Sequence, residues 1–273
     1  MTIRAAYFVV LLLATSAFYN SRVLASQDPG EKYTSPLSNF SITVPDYPLG
    51  TKVEESNDKI HGWVGFKGGA GDAARIGYQR LDPPPSVGNP DSLIALSRAA
   101  LAGLDSLSRA TLRNIVAGLD SVSRDSVLTH LVRQLSSTNI DIAHLRPPAP
   151  DSIMIALAAL LYEKIANVQE QLMARYQARL ISRAPIVLDS TLMVFTVAVT
   201  PEGSENVDMA TGKHLDAGFG HLVFIKGGFL YNLFVQPNGF AAAMAPKDPN
   251  APNGLVQTAK RLVQNLYRSI AFR

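Results

Sequence analysis

The period of the hydrophobic residues changes twice along this chain, and that change restricts the fold more than any other feature. Apolar and polar residues alternate at 40–44, 61–66 and 74–81, which is typical of strands with one buried face. From about residue 90, apolar residues recur every three or four positions, as in helices. Strand-forming segments return at 192–199 and 220–236. The order predicts an α+β fold, a mostly antiparallel sheet covered by helices, with a helical insertion between the third and fourth strands.

Two glycine-containing turns predict antiparallel hairpins within the strand groups. The turn-rich hexapeptide 67–72 joins the second and third predicted strands. Gly227-Gly228 separates 220–226 from 229–236, and glycine tolerates positive φ at both centres of a tight turn. Neighbouring strands are therefore expected to pair antiparallel.

Two amphipathic patterns predict further helices. One begins at Asp151 and continues to about residue 182, and its first turns are apolar all round, which predicts a deeply buried end. The other closes the chain. The residues on its apolar face are Leu255, Ala259, Leu262, Val263, Leu266 and Ile270.

The insertion at about 90–150 contains a short internal repeat. Residues 99–113 (AALAGLDSLSRATLR) align with 114–128 (NIVAGLDSVSRDSVL), about four helical turns further on. Each Gly-Leu-Asp-Ser ends one helix or caps the next, so two short helices or one kinked helix both fit. Acid-to-base pairs four residues apart indicate a solvated face. The alternative is a helical arm that docks a protein partner, with Leu101, Leu104 and Leu119 as candidate contact residues.

Residues 1–25 have the pattern of a secretory signal peptide. Arg4 precedes an apolar run at 5–19, and a cut after Ala25 leaves small or modest side chains at positions −3 and −1. A helix of that run spans about 22 Å, less than a hydrocarbon core of about 30 Å, so cleavage is favoured over retention as an anchor. We expect export to the periplasm or the extracellular space, with no stable membrane span after cleavage.

Charge and composition exclude several functional classes. Without residues 1–25, which carry two arginines and no acid, 23 basic groups face 22 acidic ones, so we expect no nucleic-acid partner. The chain has no cysteine, which excludes disulfides, thiol nucleophiles and Cys-ligated metals. We expect no cofactor. The predicted organisation after the leader is a flexible lead-in at 26–38 and a single α+β domain at 39–273.

The polar segment 202–221 gathers side chains that bind cations. Carboxylates and imidazoles suit calcium or a transition metal, although the spacing is that of neither an EF-hand nor a known zinc site. The candidate metal ligands are Glu202, Glu205, Asp208, His214 and Asp216. A solvated connection between strands, with His221 on the solvent side of its strand, is the competing interpretation.

His61 and Trp63 on one strand face either line an aromatic pocket or anchor the core.

Three strings give the sequence a resemblance to a known fold. They are FSITVP at 40–45, GHLVFIKGGFLYNLFVQ at 220–236 and YRSIAF at 267–272. The layout resembles the photosystem-associated PsbP proteins and the DcrB-type proteins of the bacterial envelope, in which helices cover an antiparallel sheet. The resemblance covers 40–81 and 186–273 and leaves the helical segment as an insertion. It implies a scaffold or binding subunit rather than an enzyme.

We therefore expect a non-catalytic structural or protein-interaction component of the cell envelope or secretome, with an envelope or secreted protein as its partner. The alternative is a periplasmic module that binds a small ligand or metal through the 202–221 loop. The third hypothesis, an envelope hydrolase, requires a Ser, Asp or Glu within hydrogen-bond reach of His214 or His221. The oligomeric state is left open.

Overall fold

The computed structural model describes residues 30–44, 51–58, 60–67, 73–81, 90–135, 151–175, 177–200, 218–236 and 254–273. The first half of this part of the chain contains β1 (Lys32–Thr34), β2 (Phe40–Thr43), β3 (Thr51–Asn57), β4 (His61–Lys67), β5 (Ala73–Arg80), α1 (Pro90–Gly103), α2 (Ser106–Ala117) and α3 (Ser121–Leu135). The second half contains α4 (Asp151–Arg175), β6 (Arg179–Leu188), β7 (Thr191–Val199), β8 (Gly218–Lys226), β9 (Phe229–Gln236), α5 (Gly254–Arg268) and β10 (Ile270–Phe272).

The strands form two antiparallel sheets. The larger has seven strands in the order β3-β4-β5-β9-β8-β7-β6, and the smaller has three in the order β1-β2-β10. The prediction of an α+β fold with a mostly antiparallel sheet is confirmed. The helical insertion lies between β5 and β6 and not between the third and fourth strands, because the structure has three strands that were not predicted. These strands, β1, β3 and β6, carry no clear alternation in the sequence.

Each face of the large sheet supports its own hydrophobic core. The face that we call the inner face carries Ile76, Phe224 and Leu233, and it packs against α5 and the small sheet. The opposite face, here called the outer face, carries Val194 and Val223 and packs against the helices α1–α4. Every residue of β7 is buried, since this strand is covered on both sides, and that explains its almost continuous apolar run.

Gly220 allows α5 to approach the sheet closely. A Cβ at this position would lie 2.9 Å from Cβ of Ala259 and 3.2 Å from Cγ2 of Val235. The helix therefore rests on a glycine because a larger side chain would push it away from β8. The predicted apolar face of this helix is confirmed, since Leu255, Ala259 and Leu262 are fully buried.

Both copies of the internal repeat end one helix and begin the next. α1 ends at Gly103 and α2 begins at Ser106, and α2 likewise ends before Gly118 while α3 begins at Ser121. Asp105 caps α2, because its Oδ1 accepts from the backbone N–H of Ser108 at 2.8 Å. Of the two alternatives, separate short helices are therefore correct. They pack onto the outer-face core through Leu93, Leu112 and Val116.

Two predicted helices end earlier than their patterns suggest. The pattern from Asp151 predicted a helix to about 182, but α4 ends at Arg175 and β6 begins at Arg179. Gln177 has φ 50°, and the N–H groups of Gln177 and Ala178 bond to the carbonyls of Ala174 and Met173, as in a Schellman motif. A residue other than glycine occupies the left-handed position, so the sequence contains no recognisable stop signal there. The predicted closing helix also ends early, and Ile270 lies in β10.

The predicted lead-in at 26–38 is wrong where the structure describes it. Lys32–Thr34 form β1, which pairs with β2, and Tyr33 is buried in the inner-face core. Ser35 is also buried. A three-residue strand is too short for alternation to be recognised, and its position is fixed by the partner strand. The predicted leader at 1–25 lies outside the described residues.

Candidate functional site

Buried polar side chains cross the outer face of the large sheet beneath α4. Thr196 on β7 stands opposite His221 on β8 in the strand register, and Gln169 of α4 lies above Thr196. The Thr196 hydroxyl donates to Oε1 of Gln169 at 2.7 Å, and Nε2 of Gln169 donates to the carbonyl of Val194 at 2.9 Å. Both residues are fully buried, so these bonds hold the helix to the sheet in a water-poor setting.

His221 is the polar group in this set without a partner. The residue is 2% exposed, and neither of its ring nitrogens has a hydrogen-bond partner. Its ring packs against Phe219, with centroids 5.2 Å apart, and against the edge of Phe234 at 4.9 Å. The prediction of a solvent-facing His221 is therefore wrong, because β8 is covered on both faces. The apolar outer-face neighbours Phe219 and Val223 were the sequence signal for this burial.

Burial determines the protonation state of His221. Desolvation lowers its pKa from 6.5 to about 4, since an imidazolium ion is poorly tolerated in an apolar surrounding. The side chain of Asn232 opposes this shift, but its contact does not meet hydrogen-bond geometry, and its Oδ1 is also unpaired. At neutral pH the site thus holds a neutral imidazole beside a free amide oxygen.

The predicted catalytic arrangement at His221 is not present in the structure. A hydrolase requires a Ser, Asp or Glu that bonds to this ring, and neither ring nitrogen is bonded. His214, the other histidine of that hypothesis, lies outside the described residues. So do all five candidate metal ligands, Glu202, Glu205, Asp208, His214 and Asp216. Within the described ranges, no group of three or more His, Asp or Glu is placed to hold a metal ion.

Trp63 also lies on the outer face, at the β4 side of the sheet. It is 6% exposed, and the guanidinium of Arg75 lies 4.1 Å from the centre of its ring. His61 points to the same face by register, but its Nδ1 pairs with the carboxylate of Asp58 at 2.8 Å. Trp63 and His61 thus have separate partners among the residues described.

The candidate partner-binding residues of the repeat belong to the packed layer. Leu101, Leu104 and Leu119 are half-buried and pack against the outer-face core. The exposed apolar side chains of the repeat are different ones: Leu107 is 74% exposed and Val122 is 79% exposed. They occupy equivalent positions fifteen residues apart, each at the second position of its helix.

A second buried polar cluster joins the two sheets. Nζ of Lys52 lies 2.7 Å from Oε2 of Glu55, and the hydroxyl of Tyr33 donates to Oε1 of the same carboxylate at 2.6 Å. Residues three apart in a strand face opposite sides, but a bulge between Lys52 and Glu54 brings Lys52 and Glu55 to the inner face. All the polar ends are mutually paired, so this cluster is structural.

The fold and these sites define an α+β protein with two antiparallel sheets. No protein-family model matches the chain, and no curated protein matches it in sequence. Among solved structures, the solution structure of cyanobacterial PsbP (CyanoP) from Synechocystis sp. PCC 6803 is similar in architecture, with 8% identity and a TM-score of 0.32. That match covers 92% of this chain and 95% of the other. The resemblance to DcrB-type proteins stays a prediction.

Among the helices of the described segments, none is both long enough and apolar enough to cross a bilayer.

Proposed function

We propose that this chain is an exported, non-catalytic component of the cell envelope or secretome that binds an envelope or secreted protein through α1–α3. The observation that carries the proposal is the exposure of Leu107 and Val122, 74% and 79%, at equivalent positions of the repeat. Leu96 of α1 adds a third exposed apolar side chain, at 54%. Exposed apolar side chains mark a protein contact when they gather on one surface, and the proposal is that these three do so.

The helical layer is suited to present these side chains rigidly. α1–α3 are fixed by their buried stripe, and Arg124 of α3 pairs with Asp151 at the start of α4, 3.3 Å away. Arg98 of α1 and Arg113 of α2 are exposed as well, so the surface of this layer carries charge beside its apolar side chains. A preformed surface loses little conformational entropy on binding.

Site-specific photo-crosslinking in the native host tests the proposal. A photoreactive residue at position 107 or at position 122 is expected to give one adduct of the same mass. Position 257, where Gln257 is exposed on α5 across the sheet, is the matched control and should not give it. The double variant L107E/V122E should lose the adduct while its circular dichroism spectrum is unchanged. Equal adducts from all three positions, or none from 107 and 122, would contradict the proposal.

Charged substitutions at Leu101, Leu104 and Leu119 do not test it cleanly, because these half-buried residues pack against the outer-face core and a charge there would also destabilise the helical layer. Export is tested separately by sequencing the N-terminus of the native protein. We expect it to begin at Ser26, and a chain that begins at Met1 would contradict export with cleavage.

A further inference from the structure

The exposed side of α5 carries basic residues and no acid. Lys260, Arg261 and Arg268 are exposed, and so is Gln257, while Gln264 is half-buried between them. A helix turns by about 100° per residue, so these five positions lie within a sector about 100° wide. From Lys260 to Arg268 the sector extends for about 12 Å along the helix. We call these five residues the basic face of α5.

The positive charge of the basic face is not neutralised by the part of the chain that the structure describes. Residues 254–273 contain four basic side chains, of which the fourth is Arg273, and no Asp or Glu. No carboxylate of the described ranges pairs with Lys260, Arg261 or Arg268. Asp189 of the β6–β7 turn acts on Tyr267, which lies on the buried side of the helix. The exposed side therefore keeps its positive charges.

The inner-face core fixes the direction in which the basic face points. Leu255, Ala259 and Leu262 on the other side of α5 are fully buried against the large sheet. The close contact at Gly220 holds the helix on β8. Rotation of α5 would expose these apolar side chains to water, so the basic face is held outward.

The basic face lacks the apolar side chains on which a protein interface is centred. Among the described residues, the exposed large apolar side chains are Ile60, Leu96, Leu107, Val122 and Leu180, and none of these is on α5. Protein interfaces depend on a few desolvated aromatic or apolar residues. A layer of anionic lipid headgroups needs none, because it attracts Lys and Arg through charge. The composition of this face therefore favours a lipid surface over a protein.

We propose that the basic face of α5 binds the surface of a bilayer that contains anionic phospholipids. Lys260, Arg261 and Arg268 contact the lipid phosphates, and α5 lies along the membrane without insertion. This surface is separate from that of Leu107 and Val122, because α5 packs on the inner face of the large sheet and α1–α3 pack on the outer face. The inference goes beyond the proposed function, and each of the two can fail without the other.

Co-sedimentation of the purified full chain with vesicles tests the inference. Vesicles of phosphatidylglycerol and phosphatidylcholine in equal parts should bind the chain at about 0.1 M salt, where the Debye length is about 10 Å. Vesicles of phosphatidylcholine alone should not bind it. At about 1 M salt the Debye length is about 3 Å, and the chain should be released from the anionic vesicles.

Removal of the three charges locates the binding. K260Q/R261Q/R268Q should bind the anionic vesicles roughly a hundredfold more weakly, since each basic side chain near an anionic membrane strengthens binding roughly fivefold. Glutamine is a good helix former, so α5 should stay intact. Circular dichroism and thermal unfolding of the variant show that it is folded.

The matched control removes the same charge from the other side of the sheet. R98Q/R113Q/K164Q changes exposed residues of α1, α2 and α4, and it should bind the vesicles like the native chain. The inference is overturned if the two triple variants bind equally, or if the native chain binds both kinds of vesicle equally or neither. Retention of the native chain on immobilised polyglutamate without vesicle binding would assign the basic face to an acidic protein and would also overturn it.

Discussion

Burial alters the chemistry of single residues in this protein, and His221 shows this most clearly. Its ring lies between Phe219 and Phe234, and desolvation lowers its pKa to about 4. The opposite effect applies to phenols: burial raises the pKa of Tyr231 to about 12, and the pKa values of Tyr33, Tyr78 and Tyr267 are also raised, first of all by desolvation. In each case burial favours the neutral form, because the low dielectric disfavours charge.

The lowered pKa predicts that acid destabilises the fold through His221. Below pH 6.5 the unfolded chain binds a proton at this residue that the folded chain does not accept until about pH 4. The free energy of unfolding therefore falls as the pH decreases from 6.5 to 4, by on the order of 3 kcal/mol from this group. Urea denaturation of H221L should show a smaller loss over this range than the native chain.

The half-buried His130 of α3 provides the control for loss of an imidazole. H221L should change the acid dependence more than H130L does. If H221L and the native chain lose the same free energy between pH 6.5 and 4, the neutral buried state of His221 is wrong.

The ends of the helices and strands are set by local motifs of side chains and backbone. Asp189 and Ser190 both have positive φ, 47° and 59°, and form the two-residue turn between β6 and β7. Gly227 and Gly228, at 58° and 78°, form the corresponding turn between β8 and β9. Positive φ at both central positions is the pattern of a type I′ turn, so the two hairpins use the same geometry with different residues.

Asp105 and Asp120 cap the helices of the repeat, so their loss should destabilise the chain. Asp105 accepts from both the N–H and the hydroxyl of Ser108, at 2.8 Å each, and these bonds lower its pKa, the N–H bond most. D105A should therefore decrease the free energy of unfolding by about 1 kcal/mol in urea denaturation. D120A should act in the same direction, because Asp120 accepts from the N–H of Ser123 at 2.7 Å.

D105N keeps an N-cap acceptor and should remain close to the native stability. D125A, at an exposed position within α3, is the matched control for loss of a carboxylate. A D105N chain as unstable as D105A would show that the cap does not hold α2.

The molecule as a whole depends on contacts that attach the small sheet to the large one. Nδ2 of Asn39 donates to the hydroxyl of Tyr231 at 3.1 Å, which links the start of β2 to β9. The cluster of Tyr33, Lys52 and Glu55 makes a second link, between β1 and β3. Phe40 adds an apolar link, since its ring lies 5.3 Å from Tyr78 and 6.1 Å from Tyr231.

Breaking one half of the Lys52–Glu55 pair should destabilise the whole fold. Both side chains are 9% exposed, so E55L leaves a buried ammonium ion without its partner and also removes the acceptor of the Tyr33 hydroxyl. We expect a loss of about 3 to 5 kcal/mol in urea denaturation. The double variant K52M/E55L should recover much of it, since no unpaired charge remains.

The pair of Glu170 and Arg183 is the control, because 62% of the Glu170 side chain is exposed, although the Arg183 side chain is 14% exposed. E170A should cost less than about 1 kcal/mol. A double variant as unstable as E55L would mean that packing, not charge, makes this link.

The sequence by itself determined the elements whose period is long enough to be recognised. The strands at 40–44, 61–66, 74–81 and 192–199, the hairpin at Gly227-Gly228 and the apolar face of α5 are all confirmed. These elements follow from local patterns, since a half-buried strand or helix must repeat its apolar residues with its own geometry.

Only the tertiary structure decided the rest. β10 is held by β2, which is distant in sequence, and β1 and β3 are held by their neighbours β2 and β4 without a recognisable alternation of their own. The end of α4 at Gln177 depends on a left-handed residue that is not glycine. The register of β8 and β9 places His221 diagonally next to Asn232, and His221 is buried because α4 covers that face, which no spacing along the chain encodes. Burial is a property of what lies on both sides of a residue, and the sequence of one strand specifies only its own alternation.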